Sequence, residues 1–264
     1  MKLRDYQLEA IRKMKTGCIL NGGVGSGKSL TSLSYYYMQN GGSEIFLTGG
    51  KHKKMKNPKD LYIITTARKR DTMEWEGELS HFLLSTNPDT SAYKNKVIVD
   101  SWNNVKKYKE VKGAFFIFDE QRVVGSGEWV KSFLKIAKSN EWILLSATPG
   151  DTWSDYIPVF IANGFYKNKT EFLREHAVFA RYSKFPKIEK WMGSGKLNKY
   201  RRMILVDMKF QRKTEQHHED VYVDYDISTY KDVMKSRWDI YKQEPIVNAG
   251  GLCYTLRRLV NSDP

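Results

Sequence analysis

Two stretches of the chain have residue types and spacing suited to phosphate chemistry. The first, Gly22-Gly23-Val24-Gly25-Ser26-Gly27-Lys28-Ser29, satisfies the pattern GxxxxGK[ST] through Gly22, Gly27, Lys28 and Ser29. Its glycines let consecutive N–H groups converge on anionic oxygens, and a helix starting near Lys28 turns its positive end to the same charge. The Lys28 ammonium then reaches the β- and γ-phosphates of a bound triphosphate, and the Ser29 hydroxyl ligates Mg2+. The second stretch, AFFIFDEQR from Ala114 to Arg122, sets Asp119 and Glu120 directly behind an apolar run. Asp119 is the candidate magnesium carboxylate, acting through water, and Glu120 the candidate group that orients or deprotonates an attacking water. A third stretch, EWILLSATPG, ends in Ser146 and Thr148, whose hydroxyls either bond the two carboxylates or cap the following helix.

These groups must be held at one edge of a common scaffold. Unbroken apolar runs predict buried strands at Thr16–Leu20, Leu61–Thr65, Val97–Val99, Phe115–Phe118 and Trp142–Leu145. Residues 28–40 read as a helix that stops at Gly41-Gly42. Strand, glycine-rich turn and helix is the order a phosphate cradle needs, and ligands bind beyond the carboxyl ends of parallel strands. Tyr35, Tyr36 and Tyr37 lie on that helix, where packing is the expected role rather than a base-stacking platform.

The totals exclude other classes. The chain has 264 residues, 41% of them apolar, enough for a substantial core. No apolar run is long enough to span a bilayer, and the start MKLRDYQLEA lacks the apolar stretch of a signal peptide, so a cytoplasmic protein with no membrane partner is expected. Two distant cysteines, Cys18 and Cys253, read as buried thiols, and no Cys/His spacing suits zinc. The net charge of +14 suggests either a polyanionic partner, most commonly nucleic acid, or a generally basic surface that serves solubility. Lys51, Lys53, Lys54, Lys56 and Lys59 crowd into one loop between Gly49 and Lys59, read either as a clamp on nucleic-acid phosphates or as a solvated surface loop.

In order, the motifs resemble those of the superfamily-two helicases and translocases, related to the DEAD/DEAH-box group and most similar to their Swi/Snf-type branch. LRDYQLEAI looks like the Q-motif, matching at Arg4, Tyr6 and Gln7; GGVGSGKS is motif I; DLYIITTARKR occupies motif Ia; the following Trp75 and Glu78 match a Trp-x-x-Glu helix. KVIVDSWNNVKKY looks like motif Ib, FDEQR is motif II and SATP is motif III. VYVDYDISTYKDVMKSRW and LRRLVNSDP resemble the crossing toward a second motor lobe. Three departures stand out: Arg122 ends motif II where the branch has His, motif Ia has no Pro, and nothing resembles motifs IV to VI.

The resemblance implies a three-layer α/β, RecA-like P-loop NTPase lobe at residues 1–150 with a parallel sheet. A mostly helical C-terminal extension at 151–264 would lead by a strand near Val221–Asp224 toward a second RecA-like lobe, in cis on a longer chain or in trans. The ending at Asn261–Pro264 favours truncation. The resemblance also implies ATP and Mg2+ as ligands, ATP selection by Arg4 and Gln7, and coupling through Ser146 and Thr148. Backbone contacts to DNA, without sequence specificity, would come from Thr66, Arg68, Lys69 and Arg70 in motif Ia and from Ser101 and Trp102 in motif Ib. The function expected is the ATP-binding lobe of a DNA-dependent helicase or translocase, hydrolysing ATP weakly without its partner lobe. A regulatory ATP-dependent DNA-binding module and a P-loop phosphotransferase are the alternatives. The compact form fits a phage or bacterial origin.

Overall fold

The computed structural model of the chain describes residues 1–120, 123–182, 185–210 and 224–262. There are two compact units, Met1–Gln211 and Arg212–Pro264. The first unit runs α1 (Asp5–Lys13), β1 (Ile19–Asn21), α2 (Lys28–Gln39), α3 (Glu44–Leu47), β2 (Leu61–Thr65), α4 (Ala67–Asp71), α5 (Glu74–Ser80) and β3 (Val97–Ser101). After a 3-10 helix, Trp102–Tyr108, come β4 (Phe115–Asp119), α6 (Glu128–Ala137), β5 (Glu141–Ser146), α7 (Trp153–Ala162) and α8 (Lys169–His176). β6 (Ala177–Phe179), β7 (Ile188–Trp191), α9 (Ser194–Ile204) and β8 (Leu205–Asp207) complete it. The second unit contains α10 (Ile227–Ser236), β9 (Trp238–Asp239), β10 (Glu244–Pro245) and α11 (Ala249–Ser262).

Six strands form a wholly parallel sheet in the order β3-β2-β4-β5-β1-β8. Its strands read as continuous apolar runs because both faces are covered. Leu61, Ile63, Phe115, Ile117, Ile143 and Leu145 pack with α1, α2 and α5 residues such as Ala10, Leu33, Tyr36 and Trp75. Their neighbours Tyr62, Ile64, Phe116, Phe118, Trp142 and Leu144 pack on the other side with Phe133, Ile136, Phe160 and Leu197. The two-residue alternation of a strand thus separates two apolar layers, and the three-layer α/β architecture follows.

Most expected strands are present, with shifted ends. β1 starts at Ile19 rather than Thr16 because Gly17 turns in the left-handed region (φ +84°) and donates its N–H to Trp142 O. A Cβ at Gly17 would lie 2.3 Å from Asn163 Oδ1, so the turn also packs too tightly for a side chain. β3 continues two residues past Val99, which pairs Ser101 with Thr65 at the sheet edge. Tyr35, Tyr36 and Tyr37 are all buried in the core, so they offer no stacking platform. Cys18 is buried and Cys253 exposed, both as thiols; only the first matches the expectation of burial.

The first compact unit extends well past residue 150. Within the basic stretch 181–213, α9 and β8 belong to it. Leu197 and Ile204 lie seven residues apart, on one face of α9, and are fully buried beneath its charged face. β8 then pairs along β1 as the sheet's outer strand. Beyond 150 the described residues are mostly helical, as expected, in α7 to α11, with β6 and β7 added as an antiparallel pair. In the second unit, Val233, Ile246, Leu256 and Leu259 make a small core. Of the strand expected near Val221–Asp224, Val221–Val223 lie outside the described residues; α10 follows shortly after. No helix among the described residues is long and apolar enough to cross a membrane.

Candidate nucleotide site

The glycine-rich loop leaves the carboxyl end of β1 and is tied to the neighbouring strand by Gly22 N–H donating to Ser146 O at 3.1 Å. Gly27 (φ +78°) turns the chain into α2 and lies so close to α1 that a Cβ would sit 2.6 Å from Gln7 Nε2. α1 therefore braces the loop. The buried Gln7 amide donates to Thr31 Oγ1 (3.2 Å) and Gly27 O (3.5 Å), and Gln7 Oε1 accepts from Arg4 N–H (2.9 Å). Tyr6 OH donates to Ser26 O at 3.1 Å. Both Gln7 amide donors are thus engaged, while its Oε1 keeps a second acceptor lone pair.

A cleft of about 360 Å³ is lined by Val24, Gly25, Gly27, Lys28, Ser29, Lys69, Asp119, Glu120, Leu145, Ser146 and Ala147. The parallel sheet brings them together: Asp119 ends β4, Ser146 ends β5, and the loop follows β1. Lys28 Nζ folds back on its own loop, donating to Gly22 O (2.6 Å) and Gly23 O (3.1 Å). Burial lowers its pKa most, Lys69 adds to the depression, and the Asp119 and Glu120 carboxylates oppose it. Asp119 is almost fully buried; its Oδ2 accepts from Thr65 Oγ1 (2.8 Å) and Lys69 Nζ (2.9 Å), and its backbone O from Trp102 Nε1 (3.0 Å). Glu120 turns away from the strand in the left-handed region (φ +57°), a conformation costing a non-glycine residue about 1–2 kcal/mol. Such strain clusters at functional sites. Its Oε1 lies 3.1 Å from Lys69 Nζ.

The donor set fits Mg2+. Ser29 and Asp119 supply a hydroxyl and a carboxylate, the sparse protein contribution a magnesium site uses when phosphate oxygens and water fill the rest. The chain's own Lys69 ammonium against both carboxylates marks the spot as one that accepts a cation. Among the described residues no cluster of three or more His, Cys, Asp or Glu offers a competing metal site.

The residues expected to touch nucleic acid are distributed differently from one another. β2 lies between β3 and β4, so the helix that follows it, α4, stands between Asp119 and Ser101. Thr66 caps α4, accepting from Lys69 N–H. Arg68 points to solvent, Lys69 turns to the cleft, and Arg70 Nη1 turns the other way to Asp100 Oδ1 and Ser101 Oγ, both 3.2 Å away. Ser101 and Trp102 are buried, and Trp102 stacks on Phe118. Their polar atoms serve the fold. Lys51, Lys53, Lys54 and Lys56 are exposed on a loop stitched down by Tyr37 OH to Lys53 O (2.6 Å), Met55 N–H to Tyr93 OH (3.1 Å) and Lys56 N–H to Asn40 O (2.9 Å). The loop precedes β2 whereas α4 follows it, so a five-residue strand, roughly 15 Å, separates the two groups.

Ser146 Oγ accepts from Thr148 N–H (3.1 Å), and the next helix, α7, is capped by Thr152 with Asp155 instead. Arg122 lies outside the described residues. Four groups escaped the sequence reading. Thr65 anchors Asp119. Asp100 gathers Arg70, Asn104 (2.8 Å) and Tyr108 OH (2.6 Å). Met208 takes a long contact from Ser26 Oγ (3.9 Å), and Phe210 lies against Tyr6 with ring centroids 5.8 Å apart. Thr65 was visible as a small polar residue closing an apolar run; the other three carried no local signal.

No family model and no curated protein matches the chain. The chain is similar to two solved structures from Sulfolobus solfataricus. The SWI2/SNF2 ATPase core in complex with dsDNA is 18% identical, with a TM-score of 0.54 over 97% of this chain and 57% of that one. The SWI2/SNF2 ATPase core domain is 16% identical, with a TM-score of 0.52 over 97% of this chain and 56% of that one. The chain therefore spans just over half the length of either. Its fold is that of these SWI2/SNF2 ATPase cores.

Proposed function

We propose that the chain is the ATP-binding lobe of a DNA-dependent ATPase motor. The reading is carried by one observation: Lys28, Ser29, Asp119 and Glu120 line one cleft at the carboxyl edge of a parallel sheet. Lys28 leaves its two loop carbonyls and takes the β- and γ-phosphates, for which its present bonds are stand-ins. Loop N–H groups and the α2 N-terminus hold the remaining phosphate charge. Ser29 and Asp119 would hold magnesium, with Thr65 fixing the Asp119 carboxylate; bound there, it would supply neutralisation of phosphate charge. Glu120 orients the attacking water and accepts its proton. Arg68 is the motif Ia cation open to the DNA backbone.

Among the described residues no arginine lines the cleft. A finger arginine from a partner lobe is worth about 10³–10⁵ in rate, so turnover by this chain alone is expected to be very slow. Binding of a fluorescent ATP analogue to the wild type and to Lys28→Ala tests the site. ATPase assays with and without duplex DNA, with the chain alone and joined to a second lobe, test the motor. Equal nucleotide binding by both proteins would refute the cradle, and turnover of several per second by the chain alone would refute the need for a partner.

A further inference from the structure

Lys69, Arg68 and Arg70 form one basic run in sequence, yet only Lys69 faces the cleft. Its ammonium lies 2.9 Å from Asp119 Oδ2 and 3.1 Å from Glu120 Oε1, bridging the two carboxylates that would serve metal and water. The placement is built into the fold. α4 follows a strand lying between β3 and β4, Thr66 caps its start, and Arg70 is fastened to Asp100 on the far side. Thr65, on the same strand, reaches the same Asp119 oxygen.

We propose that Lys69 is a positioning residue that acts as a resident counter-ion for Asp119 and Glu120, competing with the divalent metal and standing in for its charge before it arrives. The proposal rests on the nucleotide reading of this cleft. Two consequences follow from electrostatics. A divalent ion must displace the ammonium, so removing that charge strengthens metal binding. A metal-free triphosphate, conversely, meets a carboxylate pair already screened by Lys69; without Lys69 the two negative charges repel it. A lysine that merely tied α4 to β4 would change stability and leave both affinities alone.

The test uses the full chain as wild type, Lys69→Gln and Lys69→Arg. Mn2+ binding is read by electron paramagnetic resonance without nucleotide, and binding of a fluorescent, non-hydrolysable ATP analogue is read in excess EDTA. Lys69→Gln is expected to bind Mn2+ at least ten-fold more tightly than wild type and the metal-free analogue at least ten-fold more weakly. Lys69→Arg, keeping the charge, stays near wild type in both, and thermal melts of the three proteins verify folding. Agreement within two-fold between wild type and Lys69→Gln in either measurement overturns the proposal. Failure of the nucleotide reading shows separately, as an analogue that binds wild type no better than Lys28→Ala, while the Mn2+ comparison still decides the competition.

Discussion

Replacing Thr65 by Val removes one hydroxyl and almost nothing else. Thr65 is fully buried, and its Oγ1 donates to Asp119 Oδ2 at 2.8 Å. Valine has the same branched shape and suits a strand at least as well. The change therefore isolates one hydrogen bond to a buried charged group, worth about 1.5–3 kcal/mol. For a compact unit spanning Met1–Gln211, that corresponds to a fall of about 3–12 °C in melting temperature. Urea unfolding of wild type and Thr65→Val measures the loss directly. Repeating the change in an Asp119→Asn background, where the bond is neutral, should shrink it to about 0.5–1.5 kcal/mol, leaving a coupling of roughly 1 kcal/mol. A loss below about 0.5 kcal/mol, or the same loss in both backgrounds, would show that the hydroxyl does not hold the carboxylate.

Asp100 gives a pH prediction. Burial would raise its pKa, but bonds from Asn104, Tyr108, Ser101 N–H and Arg70 outweigh that and hold it below the usual carboxylate range. A depressed folded pKa means stability that is full above the unfolded value and is lost as pH falls through the folded one. Asp100→Asn should thus be less stable than wild type at neutral pH, with the gap closing in acid; a gap constant with pH would refute this. For duplex DNA, Arg68→Ala should lower the salt slope of binding by about one. Joint replacement of Lys51, Lys53, Lys54 and Lys56 by Gln should leave the slope unchanged, and a fall of about three or more would make that loop a clamp after all. Burial pushes the Cys18 thiol up to about 11, so one thiol, Cys253, should react with a disulfide reagent in the native protein at pH 8 and both after denaturation.

The elements legible in sequence were those whose signal is local. β4 announces itself because Phe115 to Phe118 must be apolar on both faces of a covered sheet, and the cradle because its spacing is set by phosphate geometry. The direction of a side chain on a short helix is not local. Arg68, Lys69 and Arg70 look alike until β2 is known to lie between β3 and β4, which sends one to each side and leaves one outward. Ser101 and Trp102 were hidden for a related reason: strand β3 runs two residues further than its apolar core, carrying Ser101 inward, and Trp102 opens the 3-10 helix that packs beneath it. The extent of the first unit was obscured by charge, since α9 hides two buried residues under a basic surface and β8 offers only three residues.

The position of β1 has a consequence for how the chain is made. Its sheet partners among the described residues are β5 and β8, so Thr16, just before it, waits for Trp142 and Asn21 for Asp207, separations of 126 and 186 residues. The segment bearing the glycine loop leaves the ribosome well before either partner strand and is enclosed only after both have followed. At about 5–20 residues per second, the second partner arrives roughly 10–40 s later. Throughout that interval Ile19 and Leu20 lie on an unpaired margin that other nascent chains can join. Chaperone dependence during synthesis, and aggregation of any fragment halted before residue 205, are what this arrangement entails.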